Sequence, residues 1–207
     1  MKTTLILALT FTLLSVPSRA VDDETAEPPV AYTLTVDGKQ HAIEDGKPVE
    51  IAGKFENPKV VLTASKVRTF AYGGLKFDYP AQMGWEADDN PAMKTWTLEG
   101  NDLTILLFAP VVAMDFGDML AEMKDGMGAK DSKSAKCKRS FGKEEIEGEA
   151  FTAGGFGTTI MIEAYTIKTA KGPRLLMLQD SPGFRETQSD EAKTFLKTIC
   201  ESFSVAK

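Results

Sequence analysis

The stretch from residue 73 to residue 90, GGLKFDYPAQMGWEADDN, decides the fold. Leu75, Phe77 and Tyr79 alternate with a lysine and an aspartate, and this period of two predicts a β-strand with one buried face. Pro80 cannot donate a backbone hydrogen bond, so we expect the strand to end there. Trp85 then precedes the acidic run 86–90, which we interpret as a solvated loop where the chain turns back.

The segments after this stretch predict further strands and two helices. KTWTLE and LTILLFAP have strand patterns, and the second is apolar on both faces, which is typical of a central strand. VVAMDFGDMLAEMKDGMG has apolar residues at helical spacing, so we expect one buried helix face made of Val112, Phe116, Met119, Leu120, Met123 and Met127. Three strand candidates follow, CKRSFG running into EEIEGEAF, TTIMIEAYTIKT and RLLMLQD, before an amphipathic helix with Ser189 as its N-cap. This order predicts an α+β fold in which helices pack on a mostly antiparallel sheet.

Residues 1–20 have the features of a signal peptide. Lys2 is followed by the apolar run LILALTFTLLSV, and Ser18 and Ala20 are small residues at the positions that signal peptidase reads. We expect cleavage after Ala20 and an exported protein, periplasmic or secreted, that is not inserted in a membrane once the signal is removed.

Three regions follow the predicted signal peptide. Residues 21–30 are acidic and end in two prolines, which predicts a disordered tether. Residues 31–66 contain Asp-Gly turn signals at 37–38 and 45–46 between short apolar runs, which predict a small β-meander. Residues 67–207 form the predicted α+β domain.

The order of segments from Val67 to Val205 resembles the PsbP/Mog-like superfamily. The likeness lies in GGLKFDYPAQMGW, the strand pair WTLEGNDLTILLFAP, the hairpin TIMIEAYTIKTAKGPRLLMLQDSP and the last helix SDEAKTFLKTICESFSV. It implies an α/β/α sandwich around a mostly antiparallel sheet, preceded here by the small N-terminal β-meander. Members of this superfamily are photosystem accessory subunits or bind a small GTPase, so the resemblance implies an accessory or binding role.

Charge and cysteine content narrow the classes of partner. The chain has 24 basic and 30 acidic residues, and the signal peptide removes Lys2 and Arg19, so the mature chain has a formal charge of 22 − 30 = −8. This balance argues against a nucleic acid or an anionic membrane as the partner. Cys137 and Cys200 are an even pair in an exported chain, which favours a disulfide between them; two buried free thiols are the alternative.

Several motifs have a functional interpretation and a simpler structural one. His41 is the single histidine, and we interpret it as a partly exposed strand residue rather than a metal ligand. Met119, Met123 and Met127 share a helix face, and we expect them in the core rather than around copper.

Two further motifs also favour structural roles. The glycine-rich run TAGGFGTT at 152–159 lacks the following helix and lysine of a phosphate loop, so we expect a bulge or loose hairpin. The acidic run 86–90 lacks the spacing of a calcium loop, so solvation is expected, with a weak calcium contact as the alternative.

These patterns favour an exported, non-enzymatic accessory or binding domain whose partner is an unknown envelope or extracellular protein. We expect no cofactor, no metal and no catalytic residue, because neither G-x-S-x-G nor H-E-x-x-H occurs. The candidate binding residues are Tyr72, Trp85 and Trp96, on the sheet face or in a groove beside the meander. The alternatives are an exported hydrolase that uses paired carboxylates and a structural subunit of the envelope or of a secretion machinery.

Overall fold

The structure is a computed structural model that describes residues 24–44, 47–129, 132, 134–155, 158–183 and 187–206. The predicted signal peptide and the turn at 45–46 lie outside the described residues. The helices are α1 (Phe116–Gly126) and α2 (Asp190–Ser202). The strands are β1 (Tyr32–Val36), β2 (Lys39–Ile43), β3 (Val60–Ala64), β4 (Val67–Phe70), β5 (Leu75–Pro80), β6 (Gly84–Asn90), β7 (Met93–Glu99), β8 (Leu103–Pro110), β9 (Ala135–Phe141), β10 (Glu144–Gly155), β11 (Thr158–Thr169), β12 (Gly172–Asp180) and β13 (Ser204–Val205).

The strands form three antiparallel sheets. The large sheet has seven strands in the order β6-β7-β8-β12-β11-β10-β9. One small sheet has the order β2-β1-β3, and the other has the order β13-β5-β4. Strand β8 lies inside the large sheet between β7 and β12, where its two apolar faces are both covered, as its sequence predicts.

The large sheet separates two hydrophobic clusters. On one face, α1 packs over Phe108, Phe151 and Met177. On the other face, α2 and the sheet β13-β5-β4 pack together over the central strands, through side chains such as Phe77 and Ile199. A helix alone therefore covers one face, while a helix and a second sheet share the other.

The predicted α/β/α sandwich is wrong. The structure is mostly β, with 51% of the described residues in strands and 14% in two helices. Two segments account for the difference. The acidic run after Trp85 is strand β6 and not a loop, and 135–155 is a hairpin of two full strands, β9 and β10, that turns at Gly142 with φ +61°. Strands therefore take up most of the described residues, and the two helices are too few to form the two helical layers of an α/β/α sandwich.

The deciding stretch is divided between two sheets. The strand β5 buries Leu75, Phe77 and Tyr79 on one face, as predicted, but it pairs with β4 and β13 and not with the large sheet. The next strand, β6, forms the edge of the large sheet. Its alternation of Trp85 and Ala87 with exposed acids is the pattern of a strand with one solvated face.

Both helices begin at side-chain caps. The side chain of Asp115 accepts a hydrogen bond from Gly117 N–H at the start of α1, so Val112 lies before the helix and is exposed, against the sequence-based expectation that it shares the buried face. Ser189 caps α2 by accepting from Ala192 N–H, which confirms the prediction.

The N-terminal three-stranded sheet is built on the predicted Asp37-Gly38 turn. Both residues have positive φ, +48° and +82°, and Val36 pairs with Lys39 across the turn. All five residues of β3 are exposed, and Leu62 reaches 58%. The boundaries drawn at residues 30 and 66 stay predictions.

Candidate functional site

Tyr72, Trp85 and Trp96 lie together, as a binding platform would require. The rings of Tyr72 and Trp96 are stacked with centroids 6.2 Å apart, and those of Tyr72 and Trp85 are 5.7 Å apart. Phe70 joins them from β4, at 5.7 Å from Trp96. Trp96 is only 2% exposed, so this cluster is mainly part of the core beside α2.

The polar atoms of this aromatic cluster bind the chain's own N-terminal segment. Trp96 Nε1 donates to the carbonyl of Glu24 at 2.6 Å, and Trp85 Nε1 donates to that of Thr25 at 3.0 Å. The hydroxyl of Tyr72 donates to the carbonyl of Ala26 at 2.7 Å. The segment 24–27, which we expected to be part of a disordered tether, is therefore held on the domain, and the three aromatic residues are not an open platform.

Ion pairs add to the hold on this segment. Glu24 accepts hydrogen bonds from Lys94 at 3.2 Å and Lys171 at 3.1 Å, and Glu27 pairs with Arg68. Burial acts to raise the pKa of Glu24, but the hydrogen bonds from Lys171 and Lys94 outweigh it, and the pKa is lowered. The segment is thus bound through consecutive carbonyls and two acidic side chains.

A pocket of about 380 Å³ lies elsewhere, between α2 and the large sheet. Its floor consists of two adjacent cross-strand rows, because the register aligns their members across β8 to β12. One row is Ala135, Ala150, Glu163 and Leu178, and the other is Thr152, Met161, Asp180 and Leu103. Leu196 of α2 lines the same pocket. The side chains of Ala135, Ala150 and Thr152 on the floor are small, so they leave the space between the sheet and the helix unfilled.

An ion pair lines the pocket near β9. Arg139 reaches across β10 to Glu163, with Nε and Nη2 donating to the carboxylate at 2.9 and 3.0 Å. Tyr165 O–H also donates to Glu163, at 2.6 Å. Between them, Gly148 has no side chain, and a Cβ there would come within 2.5 Å of the Tyr165 ring. Burial, and then hydrogen bonds with Cys137 and Glu163, raise the pKa of Tyr165, so its hydroxyl is a donor at neutral pH.

Asp180 is the second carboxylate that lines the pocket. It ends β12 and is 6% exposed. Its Oδ2 accepts from Ser189 N–H at 2.8 Å and so holds the start of α2. Its Oδ1 is buried and has no hydrogen-bond partner in the part of the chain that the structure describes. A buried carboxylate oxygen without a donor is costly, and a catalytic role or a bound water, ion or ligand is the usual explanation for such an atom.

The predicted disulfide is absent from the structure, in which Cys137 and Cys200 are free thiols that are not close. Cys137 S–H faces the hydroxyl of Tyr165 at 3.5 Å. Cys200 packs beside the core on α2, where burial raises its pKa against the opposing effect of Arg139. Cys137 therefore has Tyr165 as its neighbour, and Cys200 has Arg139, so the two thiols do not contact each other.

The remaining motifs have structural positions. Met119, Met123 and Met127 pack against the cluster under α1, which confirms the core interpretation. His41 lies on β2 in the N-terminal sheet, away from both carboxylates of the pocket. The glycine-rich run joins β10 to β11, with Gly155 paired to Thr158, and residues 156–157 lie outside the described part. Among the described residues, no group of three or more histidine, cysteine, aspartate and glutamate side chains is placed to hold a metal ion.

Arg139, Glu163 and Asp180 are not among the site residues predicted from the sequence. Their segments carry a weak signal, since each places a charged residue on the otherwise apolar face of a strand. That face becomes identifiable only when the register is known, because Arg139 and Glu163 belong to strands separated by β10.

Two comparisons with known proteins found no match to this chain. No family model matches the chain, and no curated protein matches it. The resemblance to the PsbP/Mog-like superfamily thus stays a prediction. In the described part of the chain, no helix has the length and apolar character needed to cross a membrane.

Proposed function

We propose that this protein is an exported, non-enzymatic binding domain that takes a small molecule into the pocket beneath α2. The observation that carries the proposal is the pocket itself, which combines an apolar floor with the carboxylate of Asp180. Its volume of about 380 Å³ is at the small end of the range for ligand sites. A mostly apolar cavity with a few polar groups is the usual form of such sites.

The proposal is tested by filling the pocket. Ala150→Phe places a ring on the floor between β9 and β11 and removes the space that a ligand needs. A fragment library is screened by ligand-observed NMR against the mature protein and against this variant. We expect fragments that bind the wild type and fail to bind Ala150→Phe, while far-UV circular dichroism stays unchanged.

An exposed substitution provides the control for this screen. Asp88 lies on β6, at the opposite edge of the large sheet from β9, and is exposed. Asp88→Asn should bind the same fragments as the wild type. A screen without any bound fragment, or with fragments that bind wild type and Ala150→Phe equally, would show that the pocket is not a binding site.

A hydrolase with paired carboxylates is the second candidate, because Glu163 and Asp180 line the same pocket. Such chemistry needs one carboxyl group that moves a proton and another that activates water or attacks the substrate. Glu163 already accepts three hydrogen bonds from Arg139 and Tyr165, which favours a structural role. A screen on glycoside, ester and phosphate substrates, with and without divalent metals, decides between the two: turnover that is lost in Asp180→Asn would establish the hydrolase.

Export and an accessory role belong to the same proposal. They are supported by the N-terminal residues 1–20 and by the acidic mature chain. Mass spectrometry of the protein recovered outside the cytoplasm should find a chain that begins at Val21. A chain that retains residues 1–20 would contradict the proposed processing.

A further inference from the structure

We propose that the ligand of the pocket beneath α2 is a small amphipathic amine, whose ammonium group binds Asp180 and whose apolar part lies on the floor of the pocket. This inference rests on the proposed function, because it names the chemical class of molecule that the pocket accepts. Three features of the pocket lead to it: the balance of charge, the unpaired oxygen of Asp180 and the composition of the floor.

The described lining residues of the pocket include two acids, Glu163 and Asp180, and one base, Arg139. Among the described lining residues Arg139 is the one cation, and its guanidinium is neutralised by two hydrogen bonds to Glu163. The carboxylate of Asp180 has no cationic partner of this kind in the part of the chain that the structure describes. Glu191, in the first turn of α2, is a further acid near the pocket. Its Oε2 accepts a hydrogen bond at 2.9 Å from the backbone N–H of Leu103, which lines the pocket. A cation is therefore favoured over a carboxylate or a phosphate as the polar group of the ligand.

The oxygen Oδ1 of Asp180 needs a donor. The backbone N–H of Ser189 occupies Oδ2, and Oδ1 is buried without a partner among the described residues. An ammonium group provides three N–H donors and a positive charge at one atom. A hydrogen bond between an ammonium group and a carboxylate is stronger than one between neutral groups.

The floor specifies the rest of the molecule. The carboxylate of Asp180 lies between Leu103 and Met161 in the row that ends at Thr152, and the neighbouring row contributes Ala150 and Ala135. Small and apolar side chains of this kind provide a surface for a short alkyl chain or a single ring. The molecule that fits is thus one polar cationic group joined to a compact apolar body.

Three probes of matched size test this inference by isothermal titration calorimetry. They are 2-phenylethylamine, the neutral 2-phenylethanol and the anionic phenylacetate, all presented to the mature wild-type protein. We expect the amine to bind about tenfold to hundredfold more tightly than the alcohol, which is the ratio expected for a charged hydrogen bond. Phenylacetate should not bind measurably.

Asp180→Asn is the deciding variant. The amide keeps the shape of the side chain and an oxygen for Ser189 N–H, but it removes the charge. The amine should lose its about tenfold or greater advantage, while affinity for the alcohol changes less than about twofold. Asp88→Asn, the exposed control, should keep the wild-type order of the three probes. Thermal unfolding of each variant shows whether it is folded before titration.

The outcomes separate this inference from the proposed function. If the alcohol and the amine bind equally, are both lost in Ala150→Phe and are both kept in Asp180→Asn, the pocket binds ligands and the amine inference is overturned. If phenylacetate is the tightest probe, Arg139 is the recognition group and the inference is also overturned. If neither these probes nor any fragment of the library binds the wild type, the proposed function itself fails.

Should Asp180→Asn unfold, a second variant tests the same point. Gln188 lines the pocket near Asp180, and Gln188→Lys would supply the missing ammonium group from the chain itself. This variant should lose affinity for 2-phenylethylamine by about tenfold or more and keep its fold. Unchanged affinity for the amine would overturn the inference.

Discussion

At the scale of single residues, buried or half-buried carboxylates organise the face of the sheet under α2. Asp180 holds the start of the helix through Ser189, and Glu163 orients Arg139. Glu191, in the first turn of the same helix, accepts hydrogen bonds from the backbone N–H groups of Asn101 and Leu103 at the β7–β8 connection. Each carboxylate thus joins two segments of the chain through the hydrogen bonds that it accepts.

Glu191 provides a pH-dependent test of this arrangement. Burial acts to raise its pKa, but hydrogen bonds from Asp102, Leu103 and Asn101 outweigh burial and lower it. A carboxyl group with a lowered pKa in the folded state stabilises the protein at pH above its unfolded pKa, about 4.3. We expect Glu191→Gln to lower the free energy of unfolding by about 1 kcal/mol at pH 7, a value reduced for its partial exposure.

That difference should narrow as the pH falls below about 4, because protonation removes the advantage of the wild-type carboxylate. Urea unfolding of the wild type and of Glu191→Gln at pH 7 and pH 3 measures this difference in the free energy of unfolding. Glu201→Gln, at the exposed end of the same helix, is the matched control and should behave like the wild type at both values. An equal cost of Glu191→Gln at pH 7 and pH 3 would show that charge is not responsible.

At the scale of elements, the N-terminal segment 24–27 behaves as an additional strip of structure on the domain. It has no strand or helix of its own, and it is held by side chains from the loop after β4, from β6 and from β7. Because its consecutive carbonyls accept from Tyr72, Trp85 and Trp96, it covers the aromatic residues that the sequence marks as candidate contacts.

Removing this segment should expose and destabilise the aromatic cluster. A chain that begins at Pro28 loses three hydrogen bonds and the ion pairs of Glu24 and Glu27. We expect the free energy of unfolding to fall by about 1–3 kcal/mol, because part of the loss is regained as chain entropy. Both tryptophans of the protein are in this cluster, so the emission maximum should shift to the red.

The matched control is a chain that begins at Glu24, which keeps every one of these contacts. It should have the stability and the fluorescence of the full mature chain. Identical stability and emission in all three chains would contradict the placement of the segment on the domain.

At the scale of the whole molecule, the β layers provide the cohesion that a disulfide would otherwise supply. The seven-stranded sheet carries a hydrophobic cluster on each face, and the end of the chain returns to β5 through β13. Loop closure by a bridge between β9 and α2 would contribute about 4 kcal/mol on the entropic model. In the structure, packing between α2, β5 and the large sheet joins these parts without it.

The thiol content of the protein tests this arrangement. We expect two reactive thiols when the mature protein is denatured without reductant and titrated with a chromogenic thiol reagent, because Cys137 and Cys200 are free. Cys200 should react slowly in the folded protein, since burial raises its pKa and leaves little thiolate at pH 7. A titration that finds no thiol until reductant is added would show that the two cysteines are bridged.

The sequence by itself determined the local features of this protein. The Asp37-Gly38 turn, the Ser189 cap, the inward face of Leu75, Phe77 and Tyr79 and the central position of β8 follow from backbone preferences and hydrophobic periodicity, which act over a few residues. These features could be predicted because they need no knowledge of distant parts of the chain.

Only the tertiary structure decided which strands pair and what their faces enclose. Residues 73–90 form two strands of different sheets, and Arg139, Glu163 and Asp180 meet in one pocket because strand register brings them together across 42 positions of sequence. The same applies to Trp85 and Trp96, which the segment 24–27 covers. Pairing and register depend on the packing of whole faces, a long-range property that no short stretch of sequence encodes.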